Sequence, residues 1–395
     1  MENIIIKVQR NRILVYAFLQ LFISVISRTL IGPLIPVISA EFGIGLDEMG
    51  SAIALSIFAL FFAAITAGSL IEFIGLRNVL ISAIFINAAG SLIMFFSQYF
   101  ALFMTAFFLL EFSFGVIYVS NLSIVGIYYN KKRASNLLKV NQGQIVAFIL
   151  SPLIVSLLVS IGKVWRYYYL FNLLILLALF VFLMKIDVPR EKKSSMTLGK
   201  LFKDNKKILA NPAFLLVAII IFFYEPVMET FYVWFTSYFE SIDVSIDTSS
   251  LFLTLYGISL FTGMLLKNHL IKYFNQKKIL LSSFAAGFIL LVGIIFVDNL
   301  AIKNILIFLF GIAVVGNFTI SFSVASGFLP KYNNAVSGLT FAFSNIGIII
   351  FHYITGYMSE YLTKSSVLFV NTTLLFVLII LTSILNYHWK FKKDK

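Results

Sequence analysis

The 395-residue chain contains no cysteine, which excludes disulfides, iron–sulfur clusters and thiolate metal sites. Its three histidines are scattered: His269 and His388 stand at the ends of apolar runs, and His352 stands alone inside one. No glycine-rich loop with a following Lys is present to cradle a phosphate. No Ser–His–Asp or metal-ligand spacing marks an enzyme, and no cofactor is implied. Charge is scarce as well. Only 12% of residues are Asp, Glu, Lys or Arg, against about a quarter in soluble domains.

What fills the chain instead is apolar. Sixty per cent of residues are hydrophobic and the mean hydropathy is +0.99. Apolar runs of roughly 18 residues or more recur throughout, each enough to cross a hydrocarbon core of about 30 Å. The sequence therefore reads as an all-α, multi-pass membrane protein. Twelve spans are expected, at about 13–40, 47–70, 79–97, 100–128, 137–160, 166–185, 211–239, 248–270, 279–297, 302–328, 334–358 and 364–388. The first run is too long for the core of a cleaved signal peptide, and no small-residue cleavage site follows it.

Lys and Arg sort by side. With the amino terminus inside, 25 of the 30 fall on the cytoplasmic side. The opposite loops hold only Lys163, Arg166, Lys303 and Lys364, and Arg28 lies within a span. This bias places both termini in the cytoplasm of a cell that carries the protein in its plasma membrane. The formal +13 then reflects topology and attraction to anionic lipid, not nucleic-acid binding. The longest hydrophilic stretch, 186–210, divides the spans six and six. The expected domains are an amino-terminal bundle at 1–185, a cytoplasmic linker at 186–210 and a carboxy-terminal bundle at 211–395.

The turn between spans 2 and 3 reads G-S-L-I-E-F-I-G-L-R-N-V-L from Gly68 to Leu80. Its spacing resembles the signature loop of the major facilitator superfamily, G-x-L-x-D-x-x-G-x-[RK]-[RK]-x-x-L. Glu72 stands for the usual Asp and Asn78 for the second basic residue. Gly68 is small enough for helices to approach closely, Gly75 permits a tight turn, and Glu72 with Arg77 can form a charged latch. A fainter copy follows span 8, keeping Leu270, Lys277, Lys278 and Leu281 while Lys272 replaces the acid. Gly32-Pro33-Leu34-Ile35-Pro36, Trp165-Arg166, Arg133-Ala134-Ser135 and the turn from Asn334 to Gly338 also resemble family sequences. The resemblance implies two pseudo-symmetric six-helix bundles, with spans 1, 4, 7 and 10 lining a central site. It implies a monomeric transporter working by alternating access, with Gly68, Glu72, Gly75 and Arg77 as its cytoplasmic gate.

Ionisable residues inside spans are costly and mark function. Four are expected well inside: Arg28 in span 1, Glu111 in span 4, and Glu225 and Glu229 in span 7. Arg28 belongs to a polar stripe with Gln20, Ser24 and Ser27, and its planar guanidinium suits a carboxylate or phosphate. Two readings stay open, capture of the substrate's anionic group or an ion pair with Glu111. Glu111 stands where family members coupled to protons often carry Arg, in a span-4 pattern resembling R-x-x-Q-G, so its charge is reversed. Glu225 and Glu229, four apart, share a helix face. Two carboxylates so close in low dielectric resist ionising together, which makes them the candidate proton site. Pro226 between them is expected to kink the helix. Asn317 and Ser321 share a face of span 10, and Asn317 is taken as a substrate contact with Arg28 and Glu111.

The four charges sum to +1 against −3, an excess that calls for a bound proton or cation. With Arg28 holding the substrate's negative group, the favoured reading is symport of a small organic anion with protons. The alternative is proton-driven export of cationic or amphipathic compounds. Against it, the drug-antiporter pattern of span 5 is only echoed by Ala147, Ser151, Pro152, Val155 and Ser156. A third reading, a receptor or scaffold that moves nothing, has only the basic linker behind it.

Overall fold

A computed structural model describes residues 2–128, 133–162, 164–188, 206–329 and 332–388. Most of the expected linker, 189–205, lies outside these, as do the side chains of Arg133-Ala134-Ser135 and Asn334. Twelve helical stretches are long and apolar enough to cross a membrane. They are Asn11–Phe42, Leu46–Ile74, Leu76–Phe95, Phe100–Val125, Lys139–Ser160, Tyr167–Met184, Pro212–Val233, Ile246–Leu270, Gln276–Phe296, Leu300–Phe328, Val336–Tyr361 and Ser366–His388, hereafter spans 1 to 12. Large apolar side chains are exposed along them, including Phe62, Phe73, Phe85, Leu174, Ile289 and Phe296. In water such a belt would be an aggregation surface; in lipid it is the solvated face.

The chain separates into two compact units. One comprises Met1–Ile44, Ala52–Ser194 and Val244–Thr254, the other Gly45–Ser51, Ser195–Asp243 and Leu255–Lys395. Within the first, span 1 packs on spans 4, 5 and 6, and span 3 packs on spans 4 and 6. Within the second, span 7 packs on spans 10, 11 and 12, and span 9 packs on spans 10 and 12. Adding six to each span number converts one pattern into the other. The repeat that is faint in sequence is thus plain in packing.

Helices meet closely because small residues stand at the crossings, where no hydrophobic effect drives association in lipid. A side chain at Gly347 of span 11 would run into the Phe222 carbonyl of span 7, and one at Gly115 of span 4 into Leu60 and Ala63 of span 2. In the first unit, Glu41 accepts from Trp165 Nε1 at 2.9 Å and pairs with Arg166, which also donates to the Ser97 carbonyl. This knot joins the neighbouring ends of spans 1, 3 and 6.

Three spans are interrupted. Span 1 breaks at Leu30, between Glu2–Thr29 and Ile31–Phe42. Span 7 continues past Val233 through Trp234 into a short helix Phe235–Glu240. Span 10 breaks between Leu300–Val314 and Asn317–Phe328, where Gly316 takes a φ of 76°. The kink expected at Pro226 is not an interruption, because the helix runs unbroken from Pro212 to Val233. Proline removes one backbone bond, and the close approach of Gly347 to the Phe222 carbonyl packs the place where that bond is lost.

Candidate functional site

In the first unit, the break in span 1 sets the position of its one buried cation. Arg28 occupies the last turn before Leu30, and Tyr169 of span 6 donates to the Ser27 carbonyl at 3.0 Å there. Arg28 Nε bonds Glu111 Oε1 of span 4 at 2.7 Å, and its guanidinium lies 4.9 Å from the Phe114 ring centre. Glu111 is fully buried and Arg28 nearly so. Of the two readings of Arg28, the ion pair is the one this geometry brings together. The rest of the stripe faces inward too: Gln20, Ser24 and Ser27 are buried, and both serine hydroxyls bond carbonyls one turn back.

The gate residues sit as follows. Gly75 takes a φ of 86° between spans 2 and 3, the tight turn its position calls for. A Cβ added at Gly68 would meet nothing within 4 Å, so no close helix approach occurs there among the described residues. Among the described residues Glu72 and Arg77 form no ion pair in this conformation. Arg77 turns toward the end of span 6 and donates to the Met184 carbonyl at 3.5 Å. Spans 3 and 6 pack side by side, which brings the carbonyl end of span 6 within reach of the guanidinium.

Span 7 carries Glu225 and Glu229 on one face. Both are partly exposed, and their charges are close enough to act on one another. Among the described residues neither makes a hydrogen bond or ion pair. Neutral groups surround them: the Thr230 hydroxyl lies 2.6 Å from the Pro226 carbonyl and 2.8 Å from Asn371 Oδ1, with one proton to share between them, and Trp234 Nε1 donates to His352 Nδ1 at 3.2 Å. Indole can only donate, so His352 Nδ1 is the acceptor and carries no proton in this arrangement.

Asn317, the expected substrate contact on span 10, is fully buried beside the break. Its Oδ1 accepts from Lys267 Nζ, which also donates to the Ala313 carbonyl at 2.8 Å. Ser321, one turn on, is equally buried.

Lys267, in the last turn of span 8, is a further buried charge beside the four expected near the middle of spans. Counted with the loop after span 8, it is 95% buried in the second unit, with no acid bonded to it among the described residues. Lys277 and Lys303, at the starts of spans 9 and 10, are also buried, and Lys303 donates to the Tyr238 hydroxyl at 2.6 Å. A signal for Lys267 exists in the sequence. Ser259, Gly263 and Lys267 recur every fourth residue, and this small-residue face is the one that packs on span 10. The sum over Arg28, Glu111, Glu225, Glu229 and Lys267 is +2 against −3.

Comparisons with known proteins agree with this architecture. A family model described as the Major Facilitator Superfamily matches residues 17–352. A protein TsgA homolog of Buchnera aphidicola subsp. Baizongia pistaciae (strain Bp) is 24% identical over 344 residues, covering 85% of this chain and 87% of that one. The solved structure of an alanine mutant of the nucleoside transporter NupG superposes with a TM-score of 0.81 at 12% identity, covering 95% of this chain and 99% of that one. That of an alanine mutant of the E. coli fucose:proton symporter FucP superposes with a TM-score of 0.66 at 14% identity, covering 94% and 98%.

Proposed function

The chain belongs to the major facilitator superfamily, and from that premise we propose that it is a proton-coupled secondary transporter of a small organic anion. It works by alternating access in the plasma membrane, with both termini cytoplasmic as the distribution of Lys and Arg directs.

The observation that carries the coupling is the pair Glu225 and Glu229. They are partly exposed, share a face of span 7 and have no bonded partner among the described residues. Two carboxylates within one turn of a membrane span cannot both stay ionised cheaply. Binding a proton is the smallest event that relieves them, and its release restores the repulsion. A fucose:proton symporter among the structural relatives is in keeping with this reading.

Arg28 is the anchor for the anion. Its pairing with Glu111 gives the empty carrier a neutral interior in the first unit. A substrate carboxylate competes with Glu111 for the guanidinium. The test is uptake of labelled carboxylates by proteoliposomes under an inward proton gradient. Gradient-driven uptake that vanishes in Arg28→Ala/Glu111→Ala, a variant leaving no orphan charge, supports the assignment.

The same ion pair favours a second reading. If Arg28 only balances Glu111, the unmatched charge within the spans is acidic, which suits cation export. Movement of an organic cation against the proton gradient, unaffected by the double alanine, would replace the anion assignment with this one.

A further inference from the structure

We propose that Tyr224 and Lys267 are positioning residues of the transport cycle, plugging the break in span 10 and tying its bend to the charge on Glu225. This rests on the proton-site reading given above.

An interrupted helix leaves carbonyls and N–H groups without partners, and in lipid these must be satisfied by protein. In an unbroken span 10 the carbonyls of Ala313 and Val314 would accept from Asn317 and Phe318. Here the Val314 carbonyl accepts from the Tyr224 hydroxyl at 2.8 Å, and the Ala313 carbonyl accepts from Lys267 Nζ. One phenol from span 7 and one ammonium from span 8 therefore serve the two carbonyls that the break leaves open. Lys267 from span 8 places a cation on the carbonyl end of the first half-helix, where the dipole favours it, and holds Asn317 of the second half by its amide oxygen.

Gly316 takes a φ of 76°, which a side chain would strain, and Met264 Sδ and Lys267 Cδ lie at ordinary contact distance from where its Cβ would stand. Glu225 follows Tyr224 directly, and Pro226 follows it, so this turn of span 7 already lacks one backbone bond. A change in the charge on Glu225 acts on the tyrosine that fills the break, and span 10 bends or straightens with it.

Titratable groups stand on every helix packed against span 7 or on the break. Span 7 itself adds Glu229 and Tyr232, and span 8 adds Tyr256 and Lys267. Span 11 carries His352, with Tyr353, Tyr357, Glu360 and Tyr361 toward its end, span 9 carries Lys277 and Lys278 at its start, and span 12 carries Tyr387 and His388 at its end. The first half of span 10 carries Lys303 at its start, and the second half carries no titratable side chain.

Because the chain has no cysteine, nitroxide labels can be placed without altering any native thiol. Ile305→Cys and Ser323→Cys, both exposed, put one label on each side of the break. Label-to-label distances are measured in nanodiscs in acid and in alkaline buffer. The native background changes distance between the two. Tyr224→Phe, which keeps the ring, loses that change while its Tm stays close to native. Lys267→Met does the same, and Lys267→Arg restores it. Tyr224→Phe responding like the native background overturns the proposal. So does a response lost in Lys267→Met and Lys267→Arg alike, since the charge would then be irrelevant. A native distance that ignores acidity also overturns it and leaves the proton reading standing on flux. Conversely, Glu225→Gln/Glu229→Gln retaining pH-driven uptake while Tyr224→Phe abolishes the distance change removes the proton reading and leaves the plug.

Discussion

The two units share one packing scheme and treat charge in opposite ways. In the first, the buried acid and base of spans 4 and 1 bond to each other at 2.7 Å. In the second, two acids on span 7 have no bonded partner among the described residues, and a buried lysine on span 8 bonds only neutral oxygens there. The helix equivalent to span 10 differs too: Phe100–Tyr128 is continuous, while span 10 breaks at Val315 and Gly316. The difference teaches where each kind of work is done. A compensated pair can rest in lipid indefinitely, whereas uncompensated carboxylates call for a proton or a cation.

Breaking the pair in the first unit should have the largest effect on stability. Arg28→Ala or Glu111→Ala each leaves one buried charge without its bonded partner, at a cost of about 3–5 kcal/mol, with a fall in Tm and in folded yield. Arg28→Met with Glu111→Met should recover most of that loss, since apolar replacement of a buried pair is often neutral. Thermal unfolding of the three variants in detergent decides this.

A smaller loss is expected at the turn between spans 2 and 3. Gly75→Ala forces a β-carbon into a φ of 86° and should cost about 1–3 kcal/mol, read as a lower Tm. Arg77→Ala should cost under about 1 kcal/mol, because its bond to Met184 is long and exposed. Its use as a gate would appear instead as a changed ratio of inward- to outward-open forms in distance measurements.

How much of this was legible in sequence follows from the range of the forces. The twelve spans are legible because hydrocarbon demands about 20 apolar residues at a stretch, and nothing local can hide that. The Arg28–Glu111 pair is legible as one of two readings, because two opposite charges in lipid have few places to go. Lys267 has only the small-residue spacing of its helix face to mark it. Hydropathy puts it at the edge of a loop, yet the four carbons of its stem let the ammonium reach inward as readily as outward. The break at Val315 and Gly316 is hidden for a related reason. No proline marks it, and it is held by Tyr224 and Lys267 from other helices, 90 and 50 residues away in the chain from their partners. The contact of Arg77 with the Met184 carbonyl is hidden too, because spacing alone cannot tell which carbonyl an exposed arginine will find.

The smallest stability effect carries the sharpest test of the contrast. Glu225→Gln/Glu229→Gln removes charges that hold nothing together, so Tm should stay level or rise, in contrast to the Arg28 and Glu111 variants. Only the link to protons should be lost.

Proton-driven flux is therefore the measurement to make. Native and Glu225→Gln/Glu229→Gln protein are reconstituted side by side, and carboxylate uptake is followed with and without an inward proton gradient. The account requires the gradient to accelerate native uptake and to make no difference to the double variant. Equal acceleration in both would show that the proton is carried elsewhere, and the assignment of span 7 would be wrong.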